Sequence, residues 1–311
     1  MSAGISVAAS NGSRFDNVWV RDNNVKDCGG GAIKVRPGQA GNLGETIRVS
    51  HNTIDACGGD GVIIAYAESP SIDHNTASNL GTGKYPWTGG NFAGMWVMVT
   101  NNPVIRHNVV FGSIMSVYDS QAFDCDWGVT GTCLVEYNYS HDNAGGAFLN
   151  CDGCGSSGAP TQVVRYNIFE NDCRMISVGE MPELWFYNNV VYCPKQDFNI
   201  NVPPNSHFIN NIFVGTSNAT LPTGSGIDWQ TNFFQTITPP TENGLIGDPG
   251  FVNPRVAGDT LGAAFGYRIQ NGSAALLSGT VIENNGNMDY FGADVSNYTK
   301  PNVGAYNGAG V

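Results

Sequence analysis

Charge is scarce in this sequence of 311 residues, because Asp, Glu, Lys and Arg together make up only 13%. That is about half of the share in an average soluble domain. The 14 Lys and Arg are outnumbered by 26 Asp and Glu, which gives a formal net charge of −12. A protein that follows a nucleic-acid backbone needs Lys and Arg to displace counterions. The sequence therefore indicates that nucleic acid is not a partner.

Long apolar runs are also missing. No stretch of about 18 apolar residues occurs, so we expect no membrane-spanning helix and no membrane partner. The first residues lack the basic and apolar regions of a signal peptide. We therefore expect either that a signal and some N-terminal residues have been removed from an exported protein, or that the chain is a fragment.

Glycine and asparagine are abundant, with 41 Gly, and Val, Ile and Phe are frequent between them. Gly and Asn are poor helix formers and good turn formers. The composition therefore predicts short strands joined by tight turns.

A short pattern recurs along the chain: an apolar residue, two further residues, Asn, and then apolar residues. Its asparagines are Asn23, Asn52, Asn75, Asn108, Asn138, Asn167, Asn189, Asn211 and a weaker ninth copy at Asn232. The spacings run from 21 to 33 residues with a floor near 22, which is about the length of three short strands and three turns. Longer spacings indicate loops inserted into a coil. The repeat predicts an all-β, right-handed parallel β-helix of about nine coils.

The repeated asparagine has two physical explanations. Equivalent residues of stacked coils lie about 4.8 Å apart, so Asn amides can hydrogen-bond along the stack as a ladder. Asn also tolerates the left-handed backbone of a sharp bend. A β-sandwich is the alternative, but its strands would not repeat one signature at near-constant spacing.

The pattern stops after Asn232. We expect a single domain, with coils over about residues 1–240 and an irregular segment over about 241–311 that covers the C-terminal end, since solenoids need capped ends. This segment contains the run Asp248-Pro249-Gly250-Phe251 and ends near Gly304-Ala305-Tyr306.

The Asn-centred coils and this tail resemble bacterial secreted β-helix proteins of the pectate-lyase-like superfamily, over nearly the whole chain. The resemblance implies the fold and a secreted, carbohydrate-active protein. The superfamily includes glycoside hydrolases, polysaccharide lyases, epimerases and non-enzymes, so it does not fix the reaction. The N-terminal cap that such proteins usually have is not apparent in this sequence.

Carboxylates concentrate on the middle coils, where the inserted loops are longest. Aligning these coils places Asp124 or Asp126, Asp152 and Glu180 along one face. Carboxylates that are close together raise one another's pKa, and a raised acid beside an ionised carboxylate cleaves glycosidic bonds. We expect Asp124 and Asp126 as the central catalytic pair. The alternative is that these acids cap turns.

Further candidates surround this pair. Glu180 and Asp142 come next as catalytic acids, while His141 is either a general acid or base or a turn residue paired to Asp142. Asp119 is a weaker acid candidate and joins Asp152 and Arg174 among substrate-binding candidates. Candidates for sugar contacts on loops are Lys84, Trp87 and Trp127, and Trp96 either joins them or packs in the core. His51, His74 and His107 hold equivalent positions in consecutive coils, which predicts a structural row and no metal site.

The eight cysteines suit an oxidising compartment. We expect four disulfides. Cys28 and Cys57 occupy equivalent places in adjacent coils, as Cys173 and Cys193 nearly do. The two remaining pairs close local loops: Cys125 with Cys133, and Cys151 with Cys154.

These observations favour a glycoside hydrolase without a cofactor that acts on a plant or microbial polysaccharide or oligosaccharide. One alternative is a calcium-assisted polysaccharide lyase, in which Lys84 or Arg174 is the base and the acids bind calcium. The other is a non-catalytic carbohydrate-binding β-helix.

Overall fold

The computed structural model describes residues 3–87, 90–177, 183–255 and 258–311. The chain winds as a right-handed parallel β-helix, and successive coils add one strand to each of three sheets. Because every coil-to-coil pairing is parallel and in register, equivalent residues of successive coils form rows along the helix. Within the described residues, no helix is long and apolar enough to cross a membrane.

Each sheet is a ladder of short strands. Sheet A contains β1 Ala3–Ala8, β4 Gly31–Arg36, β5 Gly44–Glu45, β8 Val62–Glu68, β11 Met95–Asn101, β14 Phe123–Asp126, β17 Phe148–Cys151, β20 Arg174–Ser177 and β23 Asn199–Asn201. Sheet B contains β2 Val18–Arg21, β6 Ile47–Ser50, β9 Ser71–Asp73, β12 Val104–Arg106, β15 Thr132–Glu136, β18 Thr161–Arg165, β21 Glu183–Tyr187, β24 Ser206–Ile209 and β26 Ile227–Gln230. Sheet C contains β3 Asn24–Lys26, β7 Thr53–Asp55, β10 Thr76–Ser78, β13 Val109–Phe111, β16 Tyr139–His141, β19 Ile168–Glu170, β22 Val190–Tyr192, β25 Ile212–Val214, β27 Phe233–Gln235 and β28 Leu245–Ile246.

The predicted asparagine ladder is confirmed at the bend between sheets B and C. Each ladder Asn from Asn23 to Asn211 donates its side-chain amide to the Oδ1 atom of the next one, over 2.8–3.1 Å. The backbone N–H of each also donates to that Oδ1. The ladder therefore satisfies buried polar groups of every bend that it crosses.

The left-handed residue of this bend lies one position before the ladder Asn. His51, His74 and Tyr137 have φ of 56°, 55° and 56° there. The Asn is therefore selected for its amide and not for its backbone, because its neighbour carries the strained conformation.

The histidine row is likewise confirmed as a structural column. The rings of His51 and His74 lie 4.9 Å apart, those of His74 and His107 lie 4.8 Å apart, and Tyr137 continues the column at 5.0 Å. Burial is the largest cause that lowers the pKa of His107 to about 4. A neutral ring suits a stack of this kind.

Three of the expected disulfides are present. Cys125–Cys133 and Cys173–Cys193 lie in the apolar interior, and Cys151–Cys154 reaches the surface at the exposed Cys154. The expected fourth bond is wrong for this structure, because Cys28 and Cys57 are free. They do occupy equivalent positions on adjacent coils, two residues beyond the paired Lys26 and Asp55. Equivalent placement is therefore not sufficient for a bond between two neighbouring thiols.

The C-terminal segment packs along the flank of the solenoid, whereas the sequence predicted that it covers the end. Phe251, Tyr267 and Val303 pack against an outward-facing row of sheet C, formed by Val109, Tyr139, Ile168, Val190, Ile212 and Phe233. The segment includes the 3-10 helix Leu261–Tyr267, and a second 3-10 turn, Asp152–Cys154, follows β17. The apolar outer row of sheet C accounts for this arrangement, because it would otherwise face water.

Candidate active site

Strand β14 places two acids on the outer face of sheet A. Phe123 and Cys125 point into the core and are fully buried, so the alternation of a strand turns Asp124 and Asp126 outward. Asp124 continues an outer row that runs through Lys34, Ile63 and Trp96 on the three preceding coils. The register of sheet A therefore brings residues distant in sequence to one surface.

Asp124 lies deepest in this group. It is 3% exposed, and its Oδ1 atom is buried without a hydrogen-bond partner among the described residues. Burial, and then the carboxylates of Asp126, Asp119 and Asp60, hold the pKa of Asp124 well above its usual range. These surroundings therefore favour the protonated form of Asp124.

Asp126 and Asp119 are more accessible, since both are half-buried. Burial and the nearby charges of Asp119 and Asp60 raise the pKa of Asp126 to about 6, although its Oδ1 accepts the backbone N–H of Trp127 over 2.7 Å. Burial also raises the pKa of Asp119, against the opposing charge of Arg174. The site thus combines carboxyl groups that differ in exposure and in the extent to which their pKa is raised.

Asp60 is a fourth acid of this cluster, which the sequence analysis missed. It is buried at the start of β8, where it accepts the indole N–H of Trp96 over 2.9 Å and pairs with the ammonium of Lys34 at 3.2 Å. Burial is the largest cause that raises its pKa. In the sequence, Gly59-Asp60-Gly61 has the pattern of an ordinary turn, so nothing marks Asp60 as a functional acid. The two glycines allow the backbones of neighbouring coils to pack closely on either side of Asp60.

A cavity of about 410 Å³ opens on the same face of sheet A, and Asp60 is the acid of the cluster that lines it. Trp87 and Trp96 line it together with Lys34, Arg36 and Asp60. Two indole rings beside an ion pair give a surface that offers apolar contact and hydrogen bonds at once. Trp87, a predicted sugar contact, thus lines a cavity, and so does Trp96, which does not belong to the core.

Arg174 secures the loop that carries Asp119. Its guanidinium donates to the carbonyl oxygen of Tyr118 over 2.7 Å and to that of Gly145 over 3.2 Å. The side chain of Asn91 accepts the N–H of Tyr118 over 3.0 Å. Arg174 thus holds the loop that carries Asp119 in position. Tyr118, the residue before Asp119, is 70% exposed.

Asp152 lies apart from the outer acids. Asp126 is in register with Cys151, so the next residue enters the 3-10 turn and its side chain is buried. The carboxylate accepts the hydroxyl of Ser157 and, over 2.8 Å, the N–H of Gly158. These bonds are those of a turn cap. Glu180, the remaining acid of the expected row, lies outside the described residues.

His141 and Asp142 lie on sheet C, under the C-terminal segment. The Nδ1 atom of His141 is 2.9 Å from a carboxylate oxygen of Asp142, and its Nε2 atom is 3.1 Å from the carbonyl oxygen of Gly258. The imidazole also stacks on Phe111 at 4.7 Å. Both ring nitrogens are therefore engaged, on a different sheet from the acid cluster.

The two remaining loop candidates also have local partners. Lys84 is exposed and its ammonium lies 5.3 Å from the centre of the Tyr85 ring. Trp127 follows Asp126, and the backbone of Gly155 packs so closely on its ring that a Cβ atom at Gly155 would lie 2.6 Å from the indole. Trp127 therefore shapes the wall next to Asp126.

One group of potential metal ligands touches the site. Asp126, Cys151 and Cys154 place a carboxylate oxygen and two sulfur atoms within 4.8 Å of one another. The two sulfur atoms are joined as a disulfide, and a metal requires thiolates. The group in this state therefore does not offer a metal site.

Comparison with known proteins gives a family and several relatives. The profile of the family described as "Right handed beta helix region" matches residues 1–191. A lacto-N-biosidase of Bifidobacterium longum subsp. longum is 28% identical over 242 residues, which cover 66% of this chain. The matched part is only 15% of the length of that enzyme.

Solved structures are similar in fold. The complex of XylC with xylose aligns with 96% of this chain and 61% of its own, with a TM-score of 0.58 and 13% identity. A lacto-N-biosidase from Eubacterium ramulus aligns with 75% of this chain and 36% of its own, with a TM-score of 0.41 and 18% identity. Likeness at this level of identity concerns the scaffold.

Proposed function

The chain belongs to the right-handed β-helix family, and on that scaffold we propose that it is a glycoside hydrolase acting on a carbohydrate chain. The observation that carries the proposal is the cluster of Asp60, Asp119, Asp124 and Asp126 beside the outer face of sheet A. Burial raises the pKa of all four acids, and neighbouring carboxylates raise it further for Asp119, Asp124 and Asp126. Glycosidic cleavage requires one carboxyl group that holds a proton and one that ionises. The likeness of 28% to a lacto-N-biosidase supports the same reaction class.

Exposure selects the acids that can touch a sugar. Asp126 and Asp119 are half-buried, whereas Asp124 is 3% exposed. We assign Asp126, with a pKa raised to about 6, as the proton donor to the leaving oxygen. Asp119 is the carboxylate that attacks the sugar or activates water. Asp124 lies on the same strand as Asp126, and its burial favours the protonated form. In this proposal the central pair expected from sequence becomes one buried acid and one catalytic acid.

The cavity of Trp87 and Trp96 is the proposed place of the substrate. A pyranose ring packs its C–H face on an indole, and its hydroxyl groups bond to charged partners such as Lys34 and Asp60. This reaction needs no cofactor. The three disulfides support an extracytoplasmic location, because such bonds persist in oxidising compartments.

A lyase is less well supported by the residues available for it. The guanidinium of Arg174 is committed to two carbonyl oxygens, and Lys84 pairs with a tyrosine ring. Calcium requires ionised carboxylates, whereas burial favours the protonated form of Asp124 and Asp60. These contacts favour proton donation over metal binding.

The test is incubation of the chain with para-nitrophenyl glycosides, including the lacto-N-bioside and the xyloside, and with neutral and uronate-containing polysaccharides. New reducing ends and the ultraviolet absorbance of unsaturated sugars are followed together, with and without a chelator. We expect reducing ends without absorbance, unaffected by chelation and lost in Asp119→Asn. Rising absorbance would replace the hydrolase with a lyase, and no product from any substrate would favour a binding protein.

A further inference from the structure

A second aromatic surface lies on the outer face of sheet B. One row of this face contains, coil after coil, Val104, Leu134, Val163, Trp185, His207 and Asp228. The side chains are short up to Val163 and then become long at Trp185. Val163 is smaller than the indole ring of Trp185. The face of the ring that is directed toward Val163 is therefore only partly covered.

The two faces of the Trp185 ring have different surroundings. His207 covers one face, with ring centres 4.2 Å apart and planes inclined by 20°. His207 itself lies between the carboxylates of Glu183 and Asp228, at 3.8 Å and 3.7 Å. The other face of Trp185 is directed along the row toward Val163, where the structure has a cavity.

This cavity has a volume of about 610 Å³ and lies between sheet B and the C-terminal segment. Leu134, Val163 and Trp185 form an apolar floor, and the segment supplies the opposite wall with residues 280–284. Hydroxyl, carboxylate and amide groups line it as well, from Thr132, Thr161, Gln230, Thr280, Glu283 and Asn284. The chain thus builds an aromatic floor and a polar border from two separate parts of the sequence.

The wall next to Trp185 is held in place before any ligand arrives. Arg165 donates to Glu136 over 2.8 Å, to the hydroxyl of Tyr187 over 3.0 Å and to the carbonyl oxygen of Asn284 over 3.0 Å. Arg165 therefore ties the segment to sheet B. A preformed pocket loses less conformational freedom on binding than a mobile one.

We propose that this cavity is a second, non-catalytic carbohydrate site, in which one neutral pyranose unit packs on the free face of Trp185. A pyranose has an apolar C–H face and a rim of hydroxyl groups, which match the floor and the border of the cavity. The charged side chains that line it are Glu283 and Arg165, and the guanidinium of Arg165 is already paired with Glu136 at 2.7 Å. Sugars with carboxylate or sulfate groups are therefore disfavoured. The site faces a different side of the solenoid from the acid cluster on sheet A.

The choice of carbohydrate as ligand class rests on the proposed function, whereas the site itself rests on Trp185 and its cavity. Such a site would hold a remote part of a long glycan while the acids act elsewhere on it. It would therefore lower KM for polymers and leave turnover of short substrates unchanged.

The test uses an array of neutral and anionic β-linked oligosaccharides, probed with the labelled Asp126→Asn chain so that ligands are not cleaved. Trp185→Ala removes the platform. Val163→Phe keeps Trp185 and places a ring on its free face, so it tests the site even where the loss of Trp185 disturbs packing. Trp19→Ala is the matched control, since Trp19 is 56% exposed and begins the same row far from the cavity.

We expect binding to neutral glycans that weakens about ten-fold in Trp185→Ala and in Val163→Phe, the loss of one aromatic contact of ordinary strength, and stays unchanged in Trp19→Ala. Binding that is equal in all variants, or absent on the whole array, would overturn the inference. Hydrolysis of para-nitrophenyl glycosides is measured on the same variants with Asp126 restored. Hydrolysis without Trp185-dependent binding would support the proposed function and contradict the second site. Trp185-dependent binding without hydrolysis would support the second site and contradict the proposed function.

Discussion

Asp126 illustrates how burial prepares one carboxyl group for proton transfer. Burial and the charges of Asp119 and Asp60 favour its protonated form, and these causes raise its pKa to about 6. A general acid works only while it holds its proton. Its pKa therefore sets the upper pH limit of the proposed reaction.

We predict that kcat/KM falls as the pH rises through about 6, because Asp126 then loses the proton that it donates. Asp126→Asn should lower kcat by about 10²–10⁴-fold, the usual contribution of a general acid, and should abolish this limb of the profile. Kinetics from acidic to neutral pH would check both. Asp22→Asn, a change at an exposed acid, should behave like the unchanged chain.

Stability measurements separate this effect from unfolding. The folded-state pKa of Asp126 lies above the ordinary carboxyl value of 3.8. Ionisation therefore makes the folded state less stable as the pH rises from about 3.8 to about 6, and the loss is constant at higher pH. Asp126→Asn should therefore unfold at an equal or higher temperature than the unchanged chain above that pH. A lower unfolding temperature would mean that the variant loses activity through its fold.

Sequence reasoning located Asp119, Asp124 and Asp126 because they follow the alternation of a recognisable strand or its preceding loop. It missed Asp60 and Lys34, since their pairing joins two coils and depends on where β8 begins. It placed Asp152 on the outer face, although β17 ends at Cys151 and Asp152 is the first residue of a 3-10 turn. A single residue of register decides which side of a strand a side chain faces.

At the scale of the element, the asparagine ladder determines how the coils stack. Asn138 is fully buried, and its side chain donates to Ile105 and Asn167 while it accepts both amide groups of Asn108. Removing its side chain leaves the donors of Asn108 without their acceptor. Each buried group left in this way costs about 1–3 kcal/mol.

We predict that Asn138→Ala lowers the free energy of unfolding by about 3 kcal/mol, as two unsatisfied donors would. Denaturant titration followed by circular dichroism would measure it. The control is Asn218→Ala, which changes an exposed asparagine of a turn. Equal stability of the two variants would mean that the ladder adds nothing to the strand pairing.

The ladder was predictable because one residue type recurs with the coil. The free state of Cys28 and Cys57 was not, because equivalent positions on adjacent coils bring two thiols together without deciding whether they form a bond. The disulfide Cys125–Cys133 could be predicted, because the two cysteines are eight residues apart and are joined by one bend. Repetition thus reveals backbone register more reliably than side-chain pairing.

At the scale of the whole molecule, the C-terminal segment covers the outer face of sheet C. It covers Tyr139, Ile168, Val190 and Ile212, which otherwise form an apolar stripe on an outer face. The sequence predicted an irregular segment after the repeat and expected it at the C-terminal end of the solenoid. The flank was not expected, because the apolar outer row of sheet C cannot be told from core residues in the sequence. The stripe therefore explains why the segment runs along the flank.

We predict that a chain ending at Ile246 self-associates and unfolds at a lower temperature than the full chain, because this stripe becomes exposed to water. Size-exclusion chromatography with light scattering, together with thermal unfolding, would check this outcome. A monomer with the unfolding temperature of the full chain would show that the segment contributes nothing to the solenoid.

The constant register of sheet A fixes the distance between residues on successive coils of the solenoid. Trp96 and Asp124 lie on adjacent coils, and each coil advances by about 4.8 Å, a distance comparable with one sugar unit of an extended glycan. Inserting one complete coil between β11 and β14 would move the indole from the acids by one such unit without changing either strand. Under the proposed function, the number of coils between the indole and the acids would therefore set which bond of a glycan is hydrolysed.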